Sequence, residues 1–182
     1  MKKILFLSII YTISLNSIAQ NDISQINGNF ENNLQTYKED PSIGAEKVDE
    51  FILNNAYLNI LYTKGNFSTG IRYESYLNAL QDYDSKYTGN GIPYKFARYI
   101  SGDLDITVGN YYEQFGSGLI FRTYEDKGLG IDNAMDGIRL KYRPIPSVSL
   151  KAFIGKSRTY FDYSEGIIRG ADAEFNINEA LK

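Results

Sequence analysis

The chain has 182 residues with 19 basic and 22 acidic side chains, a net charge of -3, and neither cysteine nor histidine. This composition excludes a disulfide framework, a thiol nucleophile, an imidazole base and the usual zinc ligands, and its acidic balance lacks the basic footprint of a nucleic-acid-binding protein. Sixteen tyrosines, ten phenylalanines and sixteen glycines, beside only four prolines, favour strands and turns.

Residues 1–19 have the pattern of a secretory signal peptide. Lys2 and Lys3 precede an apolar stretch that ends in Ser17-Ile18-Ala19, a small-x-small cleavage pattern. The alternative is a membrane anchor, but polar residues interrupt the stretch, and it is shorter than the roughly 20 residues that a spanning helix needs. We therefore expect export, with cleavage after Ala19.

Residues 20–55 are predicted to form an N-terminal strand and a linker. Ile26, Phe30 and Leu34 are separated by Asn, Glu and Gln, which favours a strand near 30–36. A helix over Val48–Tyr62 competes with a strand over 56–63. The turn at 64–66 and the alternation that follows it favour the strand.

The clearest strand runs from Phe67 to Leu77. Its apolar residues alternate with polar ones over about twelve residues, and both charged residues, Arg72 and Glu74, fall on the same side. Further strands are predicted at 96–101, 104–109, 119–124, 138–143, 148–154 and 167–177, which makes roughly eight in all.

Short and long connections alternate along this series of strands. Turns at 64–66, 102–103 and 144–147 are short, whereas the loops at 79–95, 125–136 and 157–165 are long. This asymmetry is typical of outer-membrane barrels, which have short periplasmic turns and long outer loops. We therefore predict an all-β fold, an antiparallel transmembrane β-barrel over residues 56–182. The polar end at 178–182 favours an N-terminal fragment of a larger barrel over a complete eight-stranded one.

A soluble, secreted β-sandwich that binds glycan or protein through tyrosine-rich loops is the alternative. Alternation alone does not separate the two folds, since both have one polar and one apolar face. The loop asymmetry favours the barrel, as does the abundance of tyrosine, whose ring suits a membrane–water interface.

Strand charges are expected to face the barrel lumen. A charge on the lipid face costs about 2–4 kcal/mol at the membrane midplane, so basic residues such as Arg72, Arg139 and Lys141 are predicted to pair inside with acidic ones. The expected acidic partners are Glu74, Glu113, Asp172 and Glu174. Arg169 is the exception, because its register places it on the apolar face.

The stretch "YYEQFGSGLIFRTYEDKGLGID" from Tyr111 is the candidate functional region. Tyr111 and Tyr112 are expected at the barrel rim, and Gly116-Ser117-Gly118 is expected to form a bend that narrows the lumen. Arg122 is predicted to pair with Glu113. The candidate lumen residues are Glu113, Gln114, Gly116, Gly118, Arg122, Tyr124, Glu125, Asp126 and Arg139.

The carboxylates of this region also raise the possibility of a glycosidase pair or a calcium loop. A glycosidase needs two carboxyls about 5–10 Å apart, which sequence spacing does not establish for Glu113, Glu125, Asp126, Asp132 and Asp136. The spacing of a helix-loop-helix calcium site is missing. An acidic outer loop is the favoured interpretation, and neither a catalytic residue, a metal ligand nor a cofactor is predicted.

Three stretches resemble an uncharacterised outer-membrane β-barrel family of Bacteroidota, a domain of unknown function with a TonB-receptor-like barrel. They are "GNFSTGIRYESYLNAL" from Gly65, "TVGNYYEQFGSGLIFRTYEDKGLGIDNAMDGIRLKY" from Thr107 and "GIIRGADAEFNINE" from Gly166. The resemblance implies a larger barrel and no established activity.

These patterns together predict a cell outer-membrane protein that acts as a pore, a transport component or a surface scaffold, and not as an enzyme. Its expected partners are outer-membrane lipid and other envelope proteins, with no nucleic acid. The patterns do not indicate a particular transported or bound ligand.

Overall fold

A computed structural model describes residues 23–81 and 83–180 of the protein. The predicted signal peptide at 1–19 lies outside these residues. The strands are β1 (Gln25–Gln35), β2 (Leu53–Lys64), β3 (Phe67–Leu77), β4 (Gly89–Ser101), β5 (Leu104–Tyr111), β6 (Glu125–Asp126), β7 (Ile131–Asp132), β8 (Met135–Ile145), β9 (Val148–Thr159), β10 (Asp162–Tyr163) and β11 (Ile168–Phe175). A single helical turn, α1 (Ile177–Ala180), follows them.

The strands form an antiparallel meander in one main sheet. The order is β1-β2-β3-β4-β5-β8-β9, with β10 and β11 both paired to β9, while β6 and β7 form a separate hairpin. The prediction of an all-β antiparallel fold is therefore confirmed. In the described part of the chain, no helix is both long and apolar enough to cross a membrane.

The short and long connections lie at opposite ends of the sheet. Turns at Gly65-Asn66, Gly102-Asp103 and Pro146-Ser147 join strands at one end, and Gly65 and Gly102 adopt the positive φ angles that glycine accepts readily. The other end carries residues 36–52, 78–88, 112–134 and 160–167. The predicted asymmetry of the connections is thus present in the fold.

The predicted strand at 119–124 is wrong. Residues 116–117 form a turn and 118–120 are bends, and Arg122 forms only an isolated bridge with Gln114. The physical reason is local pairing, since the backbone N–H of Phe115 donates to the carbonyl of Phe121 and no sheet strand takes these groups. The predicted loops are also too long, because β4 already begins at Gly89 and β9 continues to Thr159.

The two faces of the sheet differ in polarity and in exposure. The register places Ile71 beside Ile60 on β2, and Val108 beside Ile138 on β8, on what we call the outer face. These four apolar side chains belong to residues that are 39–50% exposed. The opposite face, the inner face, carries charged residues such as Arg72, Glu74 and Arg139, which are at most 8% exposed.

The sheet curls around its charged face. Arg158 on β9 contacts Glu74 on β3 with Nη2 and Oε2 2.5 Å apart, although β3 and β9 are separated by three strands. In a flat sheet these strands would lie about 19 Å apart, at about 4.8 Å for each step. Side chains of Arg and Glu cannot span that gap, so the inner face is concave.

A row of glycines crosses the concave face. Gly109, Gly137 and Gly155 lie opposite one another on β5, β8 and β9. A Cβ at Gly137 would overlap the carbonyl oxygen of Ile154, and a Cβ at Gly109 would overlap that of Lys95. The row therefore lets adjacent backbones approach more closely than other residues would allow, which assists the curl.

Gly137→Ala is expected to lower the free energy of unfolding by about 3 kcal/mol, because its methyl group has no space and the β8–β9 pairing must shift. Urea titration of the refolded protein measures this change. Gly166→Ala is the control, since no atom beyond the adjacent residues lies within 4 Å of its added Cβ, and its effect should stay within about 0.5 kcal/mol. Equal effects at the two positions would contradict the close approach.

The sheet has two free edges. Among the described residues, β1 pairs only with β2 and β11 pairs only with β9. The described strands therefore form an open, curled sheet, and the closed barrel that the sequence predicts is not present among them. Free strand edges are templates for pairing with further strands.

Candidate lumen site

Residues 112–134, the inner segment, connect β5 to β8 and fold back over the concave face. Its first part is a narrow hairpin in which the N–H of Thr123 donates to the carbonyl of Glu113, at 2.9 Å. Gly116 and Gly118, both with positive φ, form its turn. The second part is the β6–β7 hairpin, where Asp126 accepts hydrogen bonds from the N–H groups of Gly128 and Leu129.

Aromatic side chains attach the first hairpin to the sheet. Phe121 stacks on Phe153 of β9 with ring centroids 4.4 Å apart, and Phe115 lies 5.3 Å from the same ring. Tyr111 and Met135 complete this buried cluster. The hairpin is thus held by packing against the inner face, while its turn residues Leu119 and Ile120 remain more than 90% exposed.

Phe121→Ala is expected to loosen the hairpin by about 2 kcal/mol through lost packing, and so to speed trypsin cleavage after the exposed Arg122 about 30-fold. Quantified limited proteolysis of the folded protein measures the rate. Leu119→Ala serves as the matched control, because Leu119 is 93% exposed. Unchanged cleavage in Phe121→Ala would contradict the anchoring.

One charged cluster surrounds Glu113 near the first hairpin. Glu113 is 7% exposed, and its Oε2 lies 2.7 Å from Lys141 Nζ and 3.6 Å from Arg139 Nη1. Arg139 also donates to Thr107 Oγ1 at 2.9 Å and lies 3.3 Å from Asp105. The hairpin therefore adds an acidic group to a basic part of the sheet.

A second charged cluster binds the β6–β7 hairpin to the sheet. Arg72 Nη1 lies 2.9 Å from Glu125 and its Nη2 lies 2.5 Å from Asp132. Arg158 contacts the same Asp132 oxygen at 2.5 Å and also Glu74. Two guanidinium groups thus join two carboxylates of the inner segment to Glu74 of β3, and the side chains of Arg158 and Glu74 are each 1% exposed.

Burial controls the electrostatics of this second cluster. It raises the pKa of the Glu125 carboxyl above its ordinary value, against the opposing effect of the Arg72 guanidinium. The carboxylates of Glu125 and Asp132 are both engaged by arginine. Among the described residues, no group of three or more acidic side chains is arranged to hold a metal ion.

Tyrosines enclose the second cluster. Tyr112 donates to Asp132 at 3.0 Å and stacks on Tyr94, whose ring also lies 4.9 Å from the Arg72 guanidinium. Tyr111 and Tyr112 lie at the long-loop end of β5, as expected, but their side chains do not form an exposed rim. Both face the inside, because Tyr111 belongs to the buried aromatic cluster and Tyr112 lies beneath the β6–β7 hairpin.

The sequence-predicted lumen residues separate into three places. Glu113 and Arg139 meet in the first cluster, and Glu125 lies in the second. The remaining residues shape the inner segment: Gln114, Gly116 and Gly118 form the first turn, Asp126 caps the β6–β7 turn, and Tyr124 donates its N–H to Asn133.

The predicted pairing of Arg122 with Glu113 is wrong. Glu113 contacts Lys141 and Arg139, whereas the exposed Arg122 lies over the ring of Tyr124 at 4.6 Å. Arg169 lies on the outer face opposite Ile154, as its register predicts, and β11 pairs with β9 there without a shift. Lys151 meets the predicted acidic partners Asp172 and Glu174.

Arg158 is the site residue that sequence reasoning missed. It lies within a stretch predicted as a loop, and the alternation of Ile154 and Lys156, continued by two residues, would place it on the outer face, whereas it is buried against Glu74. The unbroken run from Val148 to Thr159 has no proline or turn motif, and this run was the one available signal that the strand continues.

The chain belongs to a family of unknown function, DUF6029, whose profile matches residues 1–182. Comparison with curated proteins and with solved structures gives no match. The expectation of a family of unknown function is therefore confirmed at that level.

Proposed function

We propose that this DUF6029 protein is an outer-membrane β-barrel protein that serves as a pore, a transport component or a surface scaffold, with a lumen narrowed by the inner segment. The single observation that carries the proposal is the inverted polarity of the sheet. Buried charged residues lie on the concave face and exposed apolar residues lie on the convex face, although Lys95, Lys156 and Arg169 also lie there. A lipid-facing wall around a polar lumen has this arrangement.

Strand length supports a membrane wall. β1, β2, β3, β8 and β9 each have 11 or 12 residues, and a tilted transmembrane strand needs about 9–11. Aromatic residues on the outer face lie near the short turns, namely Tyr62, Phe67, Tyr99 and Tyr142. Such a band suits the interface between lipid and water.

The alternative β-sandwich receives less support. A sandwich buries the apolar face of its sheet against a second sheet, whereas in the described residues Phe30, Ile138 and Ile154 on the outer face are 41–67% exposed. The charged face, in contrast, is the one covered by the inner segment. A soluble sandwich would have the reverse arrangement.

The contents of the concave face favour a restricted passage over a wide channel. The aromatic anchor and both charged clusters place side chains of residues 112–134 against β3, β8 and β9. The Bacteroidota lineage and the receptor-like barrel type implied by the resemblance stay predictions within this proposal, as does the absence of enzymatic activity.

Membrane fractionation with a heat-modifiability gel tests the proposal. The full chain, expressed in a Gram-negative host, should remain in the membrane after an alkaline wash. Its gel mobility should change on boiling, because a folded barrel resists detergent until it is heated. Release by the wash together with unchanged mobility would contradict the membrane barrel and favour the secreted sandwich.

A further inference from the structure

The outer face contains a groove with a floor of small residues. Ala152, Ala171 and Ala173 lie between the larger side chains of Leu140, Tyr142 and Leu150, and the groove has a volume of about 410 Å³. β9 pairs with β11 here, with Ala152 opposite Ala171 and Leu150 opposite Ala173. The floor is therefore a strip where the lipid-facing surface is indented.

Two cations lie beyond one end of this groove. Arg169 precedes Ala171 by two residues on the same face, and Lys156 follows Ile154, the cross-strand partner of Arg169. Diagonal cross-strand neighbours of this kind lie about 7–8 Å apart. Both residues are exposed, and neither has an ion-pair partner within residues 23–81 and 83–180.

The neighbouring acidic group does not neutralise the pair. Asp136 lies opposite Lys156 on β8, and its carboxylate interacts with the hydroxyl of Tyr163. Two positive charges and one negative charge thus leave a net positive patch, which is open to a further anion.

The position of Lys156 and Arg169 in the fold indicates which anion they bind. Arg169 is the second residue of β11, next to the long connection 160–167, so both cations lie toward the long-loop end of the wall. In the proposed barrel this end meets the outer leaflet. A charge on the lipid face is costly unless it lies near the interface or finds a partner, and the partner present at that depth is a lipid phosphate.

We infer that Lys156 and Arg169 bind the phosphate of an anionic lipid and that the alanine groove accepts one of its acyl chains. The two parts have the order that a phospholipid requires, with the headgroup toward the long loops and the chain directed toward the midplane. This inference rests on the proposed function, since it needs the outer face to contact lipid.

Lipid binding to the full chain, folded in uncharged detergent micelles, tests the inference by native mass spectrometry. Dimyristoyl phosphatidic acid is the probe and dimyristoyl phosphatidylcholine is its counterpart with no net charge. The double variant Lys156→Ala/Arg169→Ala should weaken phosphatidic acid binding about 30-fold. Each cation contributes about 1 kcal/mol to binding, and every 1.4 kcal/mol changes the affinity about tenfold. Lys95→Ala, which removes an exposed cation from the outer face of β4, should leave binding unchanged.

The groove has its own variant. Ala171→Phe fills the floor, so it should reduce the preference for dimyristoyl over dihexanoyl phosphatidic acid and keep the preference for phosphatidic acid over phosphatidylcholine. Unchanged chain-length preference would overturn the groove as the acyl site.

Two other results would overturn the inference. The first is an equal loss of binding in Lys95→Ala and in the double variant, which would mean unspecific charge attraction. The second is unchanged lipid binding with altered self-association in the double variant, which would make a second copy of the chain the occupant. Failure of the proposed function is distinguishable from both, because the wild-type chain would then not resist the alkaline wash.

Discussion

Arg158→Met is expected to lower the free energy of unfolding by about 3–5 kcal/mol. Arg158 connects Glu74 of β3 to Asp132 of the inner segment, and its side chain is only 1% exposed. Removing one partner of a buried ion pair leaves the remaining charges without compensation in a medium of low dielectric. Urea unfolding of the refolded protein, followed by tyrosine fluorescence, measures the difference.

Lys151→Met is the control for this experiment. Lys151 also pairs with acidic residues of a neighbouring strand, but its contact with Glu174 involves a carboxylate side chain that is 52% exposed. The contact of Lys151 with Asp172 is longer, at 3.7 Å, and an ion pair with a half-exposed partner contributes about 0–1 kcal/mol, so the two variants should differ clearly. If Arg158→Met and Lys151→Met are equally stable, the second charged cluster does not hold the inner segment.

The alternation of polar and apolar residues predicts the sheet well, because both faces of a regular strand follow a period of two. Phe67 to Leu77 shows this, since the register puts Ile71 on the outer face and Arg72 on the inner face as its pattern requires. The same pattern correctly places Arg169 beside apolar neighbours. The lengths of the short turns set the register of the strands, so they also determine which residues are adjacent across strands.

The pattern fails where the chain leaves the sheet. Leu119, Ile120 and Phe121 are an apolar run of the kind that a strand contains, yet only Phe121 packs inward and its two neighbours are exposed. The glycines at 116 and 118 turn the backbone on itself, so the hydrogen bonds of this region are satisfied within the hairpin. No local signal distinguishes this outcome from a bulged strand.

Pairing of charges across the concave face is likewise invisible in the sequence. Glu113 is close in the chain to Arg122 but contacts Lys141, and Arg72 meets Glu125 across 53 positions. These partners depend on the curl of the sheet and on the path of residues 112–134. The sequence therefore predicts the inward direction of charges in regular strands, such as Arg72 and Arg139, but neither the direction of Arg158 nor which charges meet.

The charged clusters and the aromatic anchor have different consequences for a lumen. The anchor around Phe153 is apolar and excludes water from one part of the concave face, whereas Arg72, Arg158 and their partners satisfy one another and leave little charge for a passing solute. The exposed turn of the hairpin, with Leu119 and Ile120, is consequently the part of the inner segment that would meet the contents of the lumen.

A matched pair of lysine substitutions on β2 separates a lipid-facing wall from a soluble surface. Ile60 and Leu61 are adjacent and are 39% and 37% exposed, but Ile60 faces outward with Ile71, whereas Leu61 faces inward with Gly70. Ile60→Lys is expected to weaken insertion into phosphatidylcholine vesicles by about 2–4 kcal/mol, the cost of a lysine near the bilayer midplane. Leu61→Lys should insert like the wild-type chain.

Folding yield in vesicles, measured by the heat-modifiable band at a series of urea concentrations, gives both free energies. On a soluble sheet the two lysines would be equally accessible to water, and each would change stability by no more than about 0.5 kcal/mol. Equal, small effects would therefore contradict a membrane wall. Ile60 and Leu61 are nearly equally exposed in the isolated chain. A large effect confined to Ile60→Lys therefore requires that the apolar face of β2 meets lipid and that its polar face does not.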